Sequence, residues 1–150
     1  MWGILIAIIS GALMSTQGVL NTGLTKQTSI WVSASFVQFS ALIVCLAAWL
    51  FTGREGSFGT LFKIDQKYLL LGGIIGAFIT YTVIKSVDML GPAAANMFII
   101  TSQLIVAYLI ELFGLLGSEK VPFEWKKLLG LALIIAGIII FEWNREKVIG

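Results

Sequence analysis

The side chains with the clearest chemical potential lie in one apolar stretch, residues 91–116. This stretch is long enough to cross a bilayer, yet it contains Asn96, Gln103 and Glu111, which fall within about 80° of one another on a helix with 100° per residue. Amide side chains donate and accept hydrogen bonds, and a partly buried carboxylate can bind a cation or a proton. Because polar groups are costly in hydrocarbon unless they have partners or water, we expect this stripe to face protein or a wet cavity.

Neutral polar side chains in the other apolar stretches could complete the same cavity. We predict that the substrate cavity is lined by Asn96 and Gln103 together with Ser10, Gln17, Asn21, Gln38, Tyr81 and Tyr108. The alternative for the amides is hydrogen bonding between helices, which is common for Asn and Gln in membrane bundles. For the two tyrosines, the alternative to stacking on a ligand is packing with a satisfied hydroxyl group.

Glu111 is the one acidic residue well inside an apolar stretch, and two interpretations of it stay open. It lies five residues before Leu116, which is about 7–8 Å at a rise of 1.5 Å per residue. From there a glutamate side chain can reach the membrane surface without any further function. Alternatively, Glu111 is a coupling or gating residue that binds a cation or a proton.

The overall composition indicates an all-α integral membrane protein. The chain has 150 residues, of which 58% are hydrophobic and 12% are charged, and its mean hydropathy is +0.97. A soluble domain of this size cannot bury so much apolar surface. The net charge of +2 does not indicate a nucleic-acid partner, because the basic residues are scattered between the apolar stretches.

The sequence contains no histidine and a single cysteine, Cys45, which we interpret as a packing residue. This composition excludes histidine-based catalysis, Cys/His metal sites and an intrachain disulfide. An intramembrane enzyme would need a nucleophile and a base that the chain does not offer. We therefore predict no enzymatic activity, no catalytic residue, no cofactor and no metal site.

Five membrane-spanning helices in a single domain, residues 1–150, are expected to position these side chains. We place the spans at about residues 2–20, 30–51, 68–87, 92–116 and 128–141. The first lacks a basic region and a convincing cleavage site, so we interpret it as a retained span and not a signal peptide. All five tryptophans lie close to a predicted span end, which is typical of membrane interfaces: Trp2, Trp31, Trp49, Trp125 and Trp143.

Small residues at helical spacing predict where helices pack closely. Gly72 and Gly76 lie four residues apart in the third span, and Gly130 and Gly137 lie seven apart in the fifth. Small residues let helix backbones approach one another in membranes. We interpret both pairs as helix-packing or dimerisation surfaces.

The basic residues are divided almost evenly between the two membrane sides. The first side has six, namely Arg54, Lys63, Lys67, Lys120, Lys126 and Lys127, and the second has four, namely Lys26, Lys85, Arg145 and Lys147. The small excess favours a cytoplasmic N-terminus by the positive-inside rule. A distribution this even also permits insertion in both orientations.

Three segments carry a resemblance to a known family: QGVLN (residues 17–21), SQLIVAYLIELFGLLG (residues 102–117) and GLALIIAGIII (residues 130–140). They resemble the YdcZ-type family, small membrane proteins of the drug/metabolite transporter superfamily. The most specific part is Gln103 followed by Glu111, Phe113 and Gly114. The chain departs from the family pattern with Ser102 in place of Gly and with Glu111 where Asp is common.

The resemblance implies a multi-pass protein of the bacterial inner membrane. Larger members of the superfamily fuse two five-helix repeats of opposite topology, so a five-helix chain would reproduce them as an antiparallel homodimer of ten helices. Substrate sites would then lie near the midplane at the repeat interface. The related small multidrug exporters carry a carboxylate in the first span, where this chain has Gln17, so a simple copy of their mechanism is not expected. The Gly130/Gly137 spacing resembles their dimerisation helix.

We therefore expect a secondary transporter of a small metabolite or drug-like molecule, working by alternating access among membrane lipids. Its pocket is predicted to centre on Gln103 facing Gln17, with Glu111 near the rim. Neutral hydrogen-bonding groups argue against a strictly cationic substrate. The alternative is a non-transporting scaffold or accessory subunit whose polar groups are satisfied within a dry fold.

Overall fold

The computed structural model describes residues 2–54 and 56–143, and these residues form five α-helices and no β-strand. The helices are α1 (Trp2–Gln27), α2 (Ile30–Phe51), α3 (Gly72–Leu90), α4 (Pro92–Phe113) and α5 (Trp125–Glu142). The predicted all-α class is confirmed. Arg145 and Lys147, which entered the charge comparison, lie outside the described residues.

Four helical segments are long and apolar enough to cross a bilayer: Trp2–Gln27, Ile30–Phe51, Lys67–Leu90 and Pro92–Phe113. The third consists of a short 3₁₀ helix, Lys67–Leu71, that leads directly into α3. The remaining helix, α5, has 18 residues and includes Lys126, Lys127 and Glu142. A membrane protein is thereby confirmed, whereas a fifth crossing by α5 stays a prediction.

The described chain forms two compact units, one ending at Met89 with α1 to α3 and one beginning at Leu90 with α4 and α5. In the first unit the buried residues include Ser33, Ile84 and Val87, and in the second they include Ala95 and Ile138. Most other apolar side chains point outward. That is expected in lipid, where apolar side chains have no solvent reason to be buried. The single domain over residues 1–150 stays a prediction.

The connection between α1 and α2 is shorter than the sequence suggests. Residues 22–29 look like a polar loop, but α1 continues to Gln27 and only Thr28 and Ser29 link the helices. Thr22 is buried and donates its hydroxyl hydrogen to the Gly18 carbonyl at 2.8 Å, so its polar group is satisfied inside the helix. The Ser29 side chain accepts a hydrogen bond from the Val32 amide and starts α2.

The ends of α4 and α5 also differ from the predicted spans. Pro92 occupies the first turn of α4, and α4 ends at Phe113 and not at residue 116. Gly114 terminates it in the left-handed conformation, with φ of 63°, and its amide donates to carbonyls of the last turn. A 3₁₀ turn follows at Leu115–Gly117, and α5 begins at Trp125, earlier than the predicted residue 128.

The tryptophans lie at helix ends, as predicted. Trp2, Trp31 and Trp125 are the first or second residues of α1, α2 and α5. Trp49 lies near the end of α2, and Trp143 directly follows α5. These positions suit the amphipathic indole ring at a membrane surface.

Candidate functional site

A cavity of about 500 Å³ lies in the first unit and is lined only by residues of α1 and α2. Its polar wall consists of Gln17, Asn21 and Ser40, and the thiol of Cys45 also borders it. The other lining residues are apolar: Leu20, Leu24, Phe36, Val37, Ala41 and Val44. This size and composition are ordinary for small-molecule sites, which combine apolar walls with a few polar groups.

Helical spacing explains why Gln17 and Asn21 share this cavity. They lie four residues apart on α1, hence on one face of the helix. Asn21 is buried, and its backbone carbonyl accepts a hydrogen bond of 3.1 Å from Ser33 Oγ of α2, which fixes α2 against this end of α1. The structure thereby adds Ser40 and Cys45 to the predicted pair, whereas Ser10 is exposed on α1 and does not line the cavity.

Gln38 bonds to a neighbouring helix and is not part of this cavity. Its Nε2 donates to Thr80 Oγ1 of α3 at 3.4 Å, and Thr80 in turn donates to the Gly76 carbonyl at 3.0 Å. A Cβ added at Gly76 would lie 3.8 Å from Gln38 Nε2, so the glycine faces α2 at this contact. This arrangement matches the interhelical alternative for amide side chains.

Tyr81 stacks on another aromatic ring of the protein. Its ring lies 4.9 Å from that of Trp31, with an angle of 25° between the planes. The pair joins α3 to the start of α2. Tyr81 therefore has a packing partner within the first unit, and a role in stacking on a ligand stays a prediction.

In the second unit, the polar stripe of α4 is only partly enclosed. Gln103 is exposed and borders a shallow cavity of about 330 Å³, whose lining residues all belong to α4. Asn96, about two helical turns before Gln103, is half-buried. Gln17 and Gln103 belong to different units, so their predicted facing arrangement stays a prediction.

Glu111 lies in a charged cluster that joins α4 to α5. Its Oε2 lies 3.9 Å from Lys127 Nζ, and Glu124 Oε1 lies 4.0 Å from the same ammonium. The ammonium also lies 5.3 Å from the centre of the Tyr108 ring. Together with apolar residues, Tyr108, Glu111, Lys127 and Gly130 border a cavity of about 320 Å³.

The connection between the helices folds back to build this cluster. The Val121 amide donates to the Glu111 carbonyl at 3.0 Å, and the Glu124 amide donates to the Tyr108 hydroxyl oxygen at 3.1 Å. These two bonds bring the start of α5 beside the last turns of α4. Lys127 is a partner of Glu111 that the sequence did not predict, because the path of the connection sets it. The available signal was a pair of lysines, Lys126 and Lys127, directly before the last apolar stretch.

Another cavity, about 630 Å³, lies between α4 and α5 where no candidate had been predicted. It is lined mainly by apolar side chains, namely Phe98, Ile135, Ile138, Ile139 and Trp143, with Thr101 and Glu142 as polar members. The Thr101 hydroxyl donates within α4 to the Met97 carbonyl. The cavity therefore offers volume but few polar groups that could orient a ligand.

The two glycine pairs predicted to pack against helices differ in their contacts. A Cβ added at Gly72, Gly130 or Gly137 would meet no atom within 4 Å, whereas one at Gly76 would meet Gln38. Only Gly76 of these four thus lies against a neighbouring helix in the described chain. Packing or dimerisation through the others stays a prediction.

A scan against protein-family models matched residues 2–140 to the model described as "Putative inner membrane exporter, YdcZ". The match covers nearly the whole chain and includes the cavity of α1 and α2, the α4 stripe and the charged cluster. A search of curated proteins found no match. A search of solved structures found no match either.

Proposed function

The chain belongs to the YdcZ family of inner membrane exporters, and we propose that it is a secondary transporter that moves a small metabolite or drug-like molecule by alternating access. The resemblance seen in the sequence is confirmed, and the protein is a multi-pass protein of the cell membrane. The observation that carries the proposal is the α1–α2 cavity with its neutral polar wall.

The chemistry of this cavity indicates what it could bind. The amide of Gln17 offers both donors and an acceptor, and Ser40 adds a hydroxyl whose hydrogen is directed to the Val37 carbonyl at 3.0 Å. The remaining walls are apolar. Such a site suits a small, largely apolar molecule with neutral hydrogen-bonding groups.

An antiparallel homodimer would complete the transporter. Gln17 and Gln103 are both exposed in the described chain, and an amide facing hydrocarbon without a partner is costly. A second copy in the opposite orientation would cover such residues and supply ten helices in two inverted halves. The nearly even distribution of basic residues supports this arrangement.

The single cysteine provides a direct test of the cavity. Cys45 borders it, so a transported compound should slow the reaction of Cys45 with a maleimide in the purified protein. The matched control carries Cys45→Ser and Leu46→Cys, which moves the thiol to an exposed neighbouring position on α2 that does not line the cavity. Protection of Cys45 but not of the control thiol supports a substrate in this cavity, and equal protection of both contradicts it.

Transport itself is tested in proteoliposomes with a broad panel of metabolites and drug-like compounds. We expect saturable transport of at least one compound. Gln17→Leu or Gln103→Leu should reduce it about tenfold, because each change removes an amide and leaves a polar group of the bound substrate without its hydrogen-bonding partner. Gln27→Leu, at the exposed end of α1, should have no effect. We would abandon the proposal if no compound were transported and neither substitution changed any cellular phenotype.

A non-transporting scaffold or accessory subunit is the second candidate. Two contacts favour this second candidate, because they satisfy polar and aromatic groups within the fold. They are the hydrogen bond from Gln38 to Thr80 and the stacking of Tyr81 on Trp31. It predicts that no compound protects Cys45. Single cysteines in the connection 52–67, for example at Gly59, separately test orientation: labelling from both membrane sides indicates dual insertion, and labelling from one side leaves a parallel dimer or a different partner.

A further inference from the structure

Three groups of the second unit surround one ammonium. Lys127 Nζ lies 3.9 Å from a Glu111 oxygen, 4.0 Å from a Glu124 oxygen and 5.3 Å from the centre of the Tyr108 ring. Two carboxylates and an aromatic face are the groups that proteins use to bind organic cations. The position of Lys127 shows that these groups hold a positive charge at one point.

The location of Lys127 in the helix makes this arrangement more informative. It lies in the first turn of α5, where the helix dipole disfavours a cation. The neighbouring Lys126 has the same disadvantage and belongs to no ion pair of the described residues. The two carboxylates and the ring therefore attract Lys127 specifically. With two negative charges and one positive charge, the cluster retains one net negative charge.

The ammonium is held in a way that permits exchange. Its distances to the carboxylates exceed the 2.7–2.9 Å of a direct charge-assisted hydrogen bond. Its side chain is 37% exposed, and the cavity of about 320 Å³ lies directly beside it. A small organic cation has both room to approach and a partner charge to replace.

We propose that Tyr108, Glu111 and Glu124 form a binding site for an organic monocation, and that Lys127 is its resident, displaceable occupant. As a substrate site this rests on the proposed transport function and refines it: the substrate carries one positive charge beside neutral hydrogen-bonding groups. Such a compound is not strictly cationic, so it agrees with the neutral groups of the α1–α2 cavity.

Direct binding tests the site without any transport measurement. The probe is radiolabelled benzyltrimethylammonium, measured by scintillation proximity on the full chain in phosphatidylcholine nanodiscs. Lys127→Met should raise its affinity about tenfold, because the substitution removes a competing unit charge about 4 Å from the carboxylates. Adding Glu111→Gln to Lys127→Met should abolish the gain.

Two matched controls separate the site from nonspecific effects. Lys126→Met removes a charge from the same helical turn outside the cluster and should leave the affinity unchanged. Neopentylbenzene has a carbon atom in place of the quaternary nitrogen. It should compete with the probe equally well in Lys127→Met and in Lys126→Met. An unchanged affinity in Lys127→Met, an equal gain in Lys126→Met, or stronger competition by the neutral compound in Lys127→Met would each overturn the proposal.

A second measurement uses the unmodified protein and does not depend on the folding of a variant. Benzyltrimethylammonium should release Lys127 and raise its rate of reductive methylation at least twofold relative to Lys126, as read by mass spectrometry. An unchanged ratio overturns displacement. Cys45 protection and uptake test the transporter separately, so absence of transport with normal cation binding contradicts the proposed function alone, whereas transport without cation binding contradicts this inference alone.

Discussion

The two units of the chain hold their helices together with different chemistry. In the first unit several polar contacts between helices are neutral, as in Ser33 Oγ to the Asn21 carbonyl and Gln38 to Thr80. An ion pair, Lys26 Nζ to Asp88 Oδ1 at 3.7 Å, also joins the ends of α1 and α3. In the second unit a charged cluster joins one end of α4 to the start of α5, around the ammonium of Lys127. Along their length, α4 and α5 offer one another mostly apolar side chains.

This difference follows from the solvent around each group. A hydroxyl or amide can be satisfied inside a bundle by one or two partners, so neutral groups can stabilise helix contacts at depth. Charged groups are tolerated near helix ends, where water and headgroups reach them. The first unit should therefore depend on its neutral polar contacts for stability, and the second should depend on its charges mainly for binding.

The largest expected effect on stability is at Gly18, where α1 lies against α3 in the first unit. Gly18 is buried, and a Cβ at this position would lie 3.4 Å from Val83 and 3.5 Å from Val87 of α3. Gly18→Leu forces several further atoms into this contact, so it should lower the free energy of unfolding by about 2–3 kcal/mol. SDS titration followed by circular dichroism measures the change.

Gly11→Leu is the matched control on the same helix. A Cβ there meets no atom within 4 Å, and the position is exposed, so we expect little change. Equal destabilisation by the two substitutions would show that helix propensity or insertion, and not contact with α3, is responsible.

The next effect tests whether neutral polar contacts stabilise the first unit. Ser33 is completely buried and donates a hydrogen bond of 3.1 Å to the Asn21 carbonyl. Ser33→Ala should cost about 1 kcal/mol of unfolding free energy, the usual net value of a buried hydrogen bond. Ser35→Ala, exposed on the same helix, should cost nothing measurable. If Ser33→Ala were as stable as the unmodified protein, neutral polar contacts would not stabilise the first unit, and the proposed difference between the units would be wrong.

The two helices joined by the bond from Ser33 to Asn21 show how far the sequence could predict the fold. The bounds of α2 agreed with the predicted span, because Ser29 precedes a long, mostly apolar segment without charged residues and local signals suffice there. The extension of α1 to Gln27 was missed because Asn21 and Thr22 look like loop residues. Their place in the helix depends on burial against another helix, which a single segment cannot reveal.

The candidate site divides in the same way. Gln17 and Asn21 border one cavity, since their spacing along one helix fixes their shared face, and their role in binding a substrate stays a prediction. Ser40 and Cys45 join them only through the register of α1 against α2. Lys127 was missed because the fold of the connection that follows α4 brings it to Glu111. Spacing along one helix thus predicted the shared face of Gln17 and Asn21, whereas contacts between helices could not be predicted.

A smaller effect is expected where the second unit uses a neutral bond. The Tyr108 hydroxyl oxygen accepts a hydrogen bond from the Glu124 amide at the start of α5. Tyr108→Phe should therefore lower the free energy of unfolding by about 0.5–1 kcal/mol, as expected for an amide at a helix start that loses its acceptor. Tyr81→Phe is the control, because the described contact of Tyr81 is made by its ring and not its hydroxyl. A larger loss in the control would mean that the tyrosine hydroxyls act elsewhere.

The smallest expected effect on stability is at the charged cluster itself. The Glu111 side chain is 50% exposed and its oxygen lies 3.9 Å from Lys127, so water and salt screen the pair. Glu111→Gln should change the free energy of unfolding by less than about 0.5 kcal/mol, and the difference should vanish in concentrated salt. Glu119→Gln, a carboxylate of the same connection outside these ion pairs, is the control. A loss of unfolding free energy as large as that of Ser33→Ala would show that the cluster stabilises the fold. A negligible loss leaves cation binding as the property that its charges control.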